Sequence, residues 1–146
     1  MDTVKRLQER FDGKIRNISL HSDKRIYVDI DKDDLIEFVK FVFIDLDARF
    51  ITASGIDLLD NMEILYHFSM DRSDVVVSLR TLLDRENPEI ESIVPVVKGA
   101  SNIEREMYEL LGIKFKNHPD LKRFLTDDSL DVVYPLRKDA KRQVKQ

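Results

Sequence analysis

The chain has 146 residues, 42% of them hydrophobic, with four glycines and four prolines, which is enough for one domain with a sizeable core and too apolar for a disordered segment. Cysteine is absent, which excludes a disulfide scaffold and an iron–sulfur cluster ligated by this chain; the three histidines, His21, His67 and His118, lack the spacing of a zinc site. The net charge of −4 is uneven: residues 1–111 carry 15 Lys+Arg and 23 Asp+Glu, residues 112–146 carry 9 and 5, a basic end too weak to imply nucleic acid. The longest apolar run, Phe38 to Ile44, is short and broken by Lys40, so no membrane span is expected. Met1 to Phe11 is charged and lacks the apolar core of a secretory signal, and an intracellular protein is expected.

Asp2 to Arg10 reads as a short amphipathic helix with Val4 and Leu7 inward, ended by Phe11 and broken by Gly13. Lys14 to Leu20 and Arg25 to Ile30 read as a hairpin around the polar turn His21–Lys24, with Ile26, Val28 and Ile30 on one face. Asp31 to Asp45 is predicted helical: Asp31 suits the N-cap, Asp33 and Asp34 suit the positive end of the dipole, and Leu35, Phe38, Val39, Val42 and Leu46 make the buried stripe. Adjacent residues on a helix do not face each other, so capping explains the Asp33/Asp34 pair better than metal or acid–base chemistry. Three strands follow, Arg49 to Leu58, Met62 to Met70 and Val75 to Leu83, joined by turn-forming runs as an antiparallel meander. Met62, Ile64, Tyr66, Phe68 and Met70 share one face of the middle strand; Gly55 marks a bulge or a close backbone approach, and His67 reads as a packed or edge histidine.

Beyond Leu83 the texture changes to a charged connector in which Pro88 is placed to open a short helix through Ser92. Residues 101–111 then read as a helix with capping-box spacing from Ser101 to Glu104, an apolar stripe of Ile103, Met107, Leu110 and Leu111, and Gly112 as its stop. The stripe leaves Glu104, Arg105, Glu106, Tyr108 and Glu109 on the outward faces, where a solvated surface is the plain expectation. A polar loop with His118 leads to a further short helix around Leu121 to Leu125. No glycine-rich phosphate loop, nucleophile elbow or metalloprotease helix occurs.

Glu104-Arg105-Glu106, with Glu109-Leu110-Leu111-Gly112-Ile113, the run from His118 to Asp127 and Tyr134-Pro135-Leu136-Arg137-Lys138-Asp139, resembles the thirty-kilodalton subunit family of complex I, the respiratory-chain NADH dehydrogenase (NADH:quinone oxidoreductase). That family includes the equivalent subunit of membrane-bound nickel–iron hydrogenases. The specific match covers about residues 88 to 139. Lys122 stands where the family usually shows the first of two arginines and lacks its bidentate fork, and the short tail after Asp139 leaves room for a hydrogenase-type or archaeal assembly.

The resemblance implies a non-catalytic peripheral subunit of a membrane-associated electron-transfer complex. That subunit binds no cofactor, has no catalytic or metal residue, and associates with the cytoplasmic face of the membrane only through partners. Those partners are a large subunit related to that of nickel–iron hydrogenases and a cluster-bearing small subunit. Under it, Glu104, Arg105, Glu106, Tyr108, His118, Pro119, Asp120, Lys122, Arg123, Arg137 and Lys138 form the partner interface. The electron donor stays open among NADH, ferredoxin and an F(420)-type coenzyme.

Two rivals are a free-standing enzyme with acid–base chemistry at Glu104, Glu106 and His118, and a small interaction module outside any redox complex. The expected fold is one α+β domain with a mixed or mainly antiparallel sheet of four to five strands and flanking helices. Its sheet region spans 1–87, and a helix–loop arm of 88–146 packs on it, with a poorly ordered tail from Lys138 to Gln146.

Overall fold

A computed structural model describes residues 2–121, 132–134, 136–138 and 141–142. The chain begins with helix α1 (Asp2–Arg10), strands β1 (Ile15–Ser22) and β2 (Arg25–Ile30), and helix α2 (Leu35–Lys40). A 3-10 turn, Lys32–Asp34, leads into α2, and a π turn, Phe41–Asp45, leaves it. Then come β3 (Arg49–Asp57), β4 (Asn61–Met70), β5 (Val75–Asp84), β6 (Glu89–Glu91), α3 (Ser101–Leu111), β7 (Lys114–Lys116), β8 (Val132–Val133) and β9 (Lys141–Arg142).

Five strands form one sheet in the order β1-β2-β5-β4-β3, antiparallel except where β2 runs parallel to β5. The hairpin and the meander are where the alternation predicts them. His21, expected in the turn, instead lies in β1 with its ring 4.3 Å from Tyr27. Met62, Ile64, Tyr66 and Phe68 are fully buried on one face, level with Val77 and Leu79 of β5 and Ile26 and Val28 of β2. α1, the turn after it and α2 supply Leu7, Phe11, Leu35, Phe38 and Val39 to this core, Phe11 stacking on Phe38 with centroids 3.8 Å apart.

Asp31 caps the 3-10 turn by accepting from the Asp33 backbone N–H, as its residue type predicts. The helix does not run on regularly to Asp45: its last turn widens to π geometry, which puts Phe41 and Leu46, five apart, on the buried side together with Val42. Among the described residues no helix is long and apolar enough to cross a membrane.

The reverse face of the sheet is mixed, with Ile56 and Leu82 exposed on either side of Glu63. Arg80 Nε lies 2.6 Å from Asp29 Oδ1 and 3.8 Å from Glu63, with its guanidinium over the Tyr27 ring. His67 is half-buried there with Nδ1 2.7 Å from Ser78 Oγ, and burial pushes its pKa down.

Gly55 is where α3 approaches the sheet. A Cβ built on it would lie 2.8 Å from Leu111 Cδ1 and 3.3 Å from Met107 Sδ, so a side chain there forces the helix stripe to shift. Gly55→Val is expected to cost about 1–3 kcal/mol by overpacking, read as a lower urea midpoint of the isolated chain.

Pro88 does not open a helix. The segment after it is β6, which pairs in parallel with β7, and Lys114 N–H donates to Pro88 O at 2.9 Å. Burial of Ile90 and Phe115 in this two-stranded patch outweighs local helix preference, and Pro88, which has no N–H to give, takes the position before an edge strand. Of the tail expected to be disordered, Lys141–Arg142 pair with Val132–Val133, because two short strands there satisfy one another's backbone groups. The short helix expected around Leu121 to Leu125 falls, from residue 122 on, outside the described residues, as does most of the remaining tail.

Candidate functional site

α3 begins through the 3-10 turn Lys98–Ala100, so Ser101 is already helical (φ −56°, ψ −50°) and the expected capping box does not form. Ser101 Oγ instead lies 3.3 Å from His118 Nε2. Glu104 turns inward and is fully buried, where its carboxylate accepts from Ser92 Oγ at 2.5 Å and from the Ile93 backbone N–H at 2.9 Å. Burial pushes the Glu104 pKa up to about 7, and the bonds from Ser92 and Ile93 pull against it. Glu109 is also fully buried and engaged. The outward placement of Glu104 and Glu109 is therefore wrong. A helix held by β3 on one side and by the 92–97 connector on another buries more than one stripe. Of the predicted stripe, Met107 and Leu111 are buried and Ile103 and Leu110 half-buried, and Gly112 makes the stop with φ +77°.

His118 is brought back onto α3 by Asn117, whose φ of +65° turns the chain and whose side-chain amide donates to Glu91 at 2.9 Å. The Asp120 N–H donates to His118 Nδ1 at 2.9 Å, leaving the ring proton on Nε2, 3.1 Å from Ser101 O. Nε2 lies 4.0 Å from Glu104 Oε1, both side chains being shut off from solvent. Glu104 and His118 thus meet, but as a joint tying three segments together. Acid–base chemistry at this pair needs a path for a substrate, and both side chains are closed off from solvent.

The second group lies at the other end of α3. Tyr108 is half-buried, its ring 6.1 Å from Tyr134 in an edge contact, and Tyr134 covers Gly112 so closely that a Cβ there would sit 3.0 Å from the ring. Leu136 N–H donates to Leu110 O at 2.8 Å, which lays the chain after Tyr134 against the helix. Arg137 donates to Arg85 O at 3.4 Å, and the Lys138 backbone N–H donates to Asp57 Oδ2 at 2.8 Å.

Asp57 and Arg85 are the residues sequence reasoning missed. Asp57 is 3% exposed and takes a bidentate pair from Arg85, Nε to Oδ1 at 2.7 Å and Nη2 to Oδ2 at 3.0 Å, plus the Leu59 N–H. The Arg85 guanidinium, helped by the two backbone donors, holds the Asp57 carboxyl well below the usual carboxylate range. The available signal was Asp57's place in the inward register of Ala53 and Gly55, where an acid needs a partner.

Arg105 is half-buried and engaged, Glu106 is half-buried beside β3, and Pro119 and Asp120 are exposed at the His118 turn. Lys138 is exposed, and Lys122 and Arg123 lie outside the described residues. Of the residues expected to form one surface, Glu104 and His118 make an enclosed joint, Arg137 and Lys138 belong to the Asp57-anchored arm, and Glu106 lines a pocket with Leu136 of that arm.

The family model described as respiratory-chain NADH dehydrogenase, 30 Kd subunit, matches residues 28–146. A subunit of the F(420)H(2) dehydrogenase of Methanosarcina mazei is 37% identical over 139 residues, covering 93% of this chain and 88% of the relative. A subunit of the NADH-quinone oxidoreductase of Chelativorans sp. is 30% identical over 139 residues, covering 91% and 68%. A chain of the membrane-bound sulfane sulfur reductase, an archaeal respiratory membrane complex, superposes with a TM-score of 0.80 at 17% identity over 94% of this chain and 83% of that one. The trypsin-resistant fragment of Nqo5 superposes with a TM-score of 0.70 at 22% identity, covering 83% of this chain and all of the fragment. On a match running from residue 28 to residue 146 and relatives aligned over nine-tenths of its length, the chain belongs to the family of the 30 Kd subunit of respiratory-chain NADH dehydrogenase.

Proposed function

We propose that the chain is a non-catalytic subunit of a membrane-associated oxidoreductase complex, carrying no redox centre and serving the assembly of subunits that do. The observation that supports this reading most is the state of the family's acidic and histidine residues. Glu104, Glu109 and His118 are engaged inside the fold, and the Glu104 and His118 side chains are shut off from solvent. What α3 leaves half-exposed is Arg105, Glu106 and Tyr108, residue types suited to contact rather than to chemistry. The partners this reading implies are the large subunit related to nickel–iron hydrogenase and the cluster-bearing small subunit, on the cytoplasmic face of the membrane. The names of the Methanosarcina and Chelativorans relatives, both subunits of oxidoreductase complexes, support membership of such a complex. The hydrogenase-type assembly has no comparable support.

Tagged chain extracted from its own membranes in mild detergent is expected to bring iron-bearing subunits with it. Glu106→Ala is expected to weaken that association while leaving the melting temperature of the isolated chain within about 1 °C, since a half-exposed side chain contributes little to the fold. Equal destabilisation of the isolated chain, with association intact, would contradict the assignment of Glu106.

A further inference from the structure

We propose that the outer edge of β3, with the groove between it and α3, takes an extended segment of a partner subunit as a sixth strand. That segment brings apolar side chains for the groove, an acidic one for Lys98 and a basic one for Glu106. The proposal deepens the assembly reading and rests on it.

The sheet ends at β3, and among the described residues no strand pairs with its outer side. An edge strand's outward N–H and C=O groups form a template for another extended chain. Proteins usually blunt such edges with proline, lysine, inward charge or shortness. β3 is nine residues long, has no proline or lysine, carries its one inward charge, Asp57, at its last position paired with Arg85, and shows Ile51 and Ile56 each 43% exposed. Its one irregularity is the register shift between Phe50 and Thr52, near its start. The opposite edge strand, β1, has two register shifts and presents Arg16 and Asn17.

Beside this edge lies a groove of about 870 Å³ walled by Phe43, Phe50, Ile51, Val96 and Ile103. Of its charged residues, Arg49 is taken by Asp71. Lys98 and Glu106, on the 3-10 turn and on α3, make no ion pair among the described residues. A partner segment of complementary charge neutralises both, and two opposite charges at different points along one groove fix the direction in which it runs. A helix laid in the groove would leave the β3 backbone groups unpaired, whereas a strand pairs them.

The test uses the tagged full chain, once inside its native complex and once alone, with backbone deuterium exchange read in both. Carbodiimide coupling of Lys98 in the complex is mapped by mass spectrometry. Those amides of residues 52–56 that do not already bond to β4 are expected to exchange at least about tenfold more slowly in the complex. Lys98 is expected to couple to an acidic residue of another subunit, in a segment that itself becomes protected. Ile51→Asp, at an exposed position, is expected to remove that protection and release the chain while its melting temperature alone is unchanged. Equal exchange of these amides in both forms, with the chain still in the complex, would overturn the strand-pairing proposal and leave the assembly reading standing. Protection arising from a dimer of the isolated chain would overturn it in favour of a second copy at the edge. Failure of the chain to associate with any redox subunit would overturn the assembly reading itself.

Discussion

Asp57→Ala is expected to lower the stability of the isolated chain by about 1.5–3 kcal/mol, because it takes the bidentate carboxylate from an Arg85 guanidinium whose side chain is only 13% exposed. The same change removes the acceptor of the Leu59 and Lys138 backbone N–H groups, so the arm at Arg137 and Lys138 loses its anchor on the sheet. Arg85→Ala removes the same pair from the other side, and the double variant should cost much less than the sum of the two. Urea unfolding with an unchanged slope and a shifted midpoint checks the magnitude. The pH dependence follows from the sign of the shift. Asp57's folded pKa lies below its ordinary 3.8, so its contribution is present above pH 3.8 and is lost as pH falls through the folded value. Asp57→Asn should flatten that acid limb. A loss under about 1 kcal/mol for Asp57→Ala would show that the clamp contributes no more than an exposed pair.

Glu104→Gln is expected to act in the opposite direction and only at higher pH. Glu104 has a folded pKa of about 7 against an ordinary 4.5, so between those values the folded chain holds a proton that the unfolded chain has released. Stability therefore falls as pH rises from 4.5 to about 7 and then levels, with a total loss from this group on the order of 3 kcal/mol. Glutamine keeps an acceptor for the Ile93 N–H and a polar atom for Ser92 and cannot ionise. The variant should match the parent near pH 4 and be more stable at pH 8. Glu104→Ala should instead destabilise at every pH by about 1–3 kcal/mol for each buried donor left unpaired. Stability curves of the parent and the glutamine variant that stay parallel from pH 4 to pH 8 would rule this out.

Much of the fold was legible because its sheet is simple. Alternation along β4 and β5 marks the buried face residue by residue, and Gly112 and Asp31 announce the ends they make. Gly55 could be read as a close approach, though not as an approach by Leu111. The site was less legible because it is made of contacts between segments. Helical periodicity assigns Glu104 to a wet face, and only the return of the 92–93 connector and of His118 over that face makes it dry. Pro88 carries a helix-opening signal that is overruled by β7, on the far side of α3 in the chain, and no local pattern shows that pairing. Asp57 and Arg85 lie at different strand ends that are brought level by the register of Asp57 with Met62 and of Met62 with Leu83.

On the function proposed above, the chain holds its neighbours and conducts no electrons itself. The direct measurement is the iron, nickel and flavin content of the purified full chain, alone and in its complex, together with its electron paramagnetic resonance spectrum. The account predicts no centre and no turnover in the isolated chain, and redox centres only in preparations that contain other subunits. A stoichiometric redox centre, or substrate turnover, in the chain by itself would contradict it.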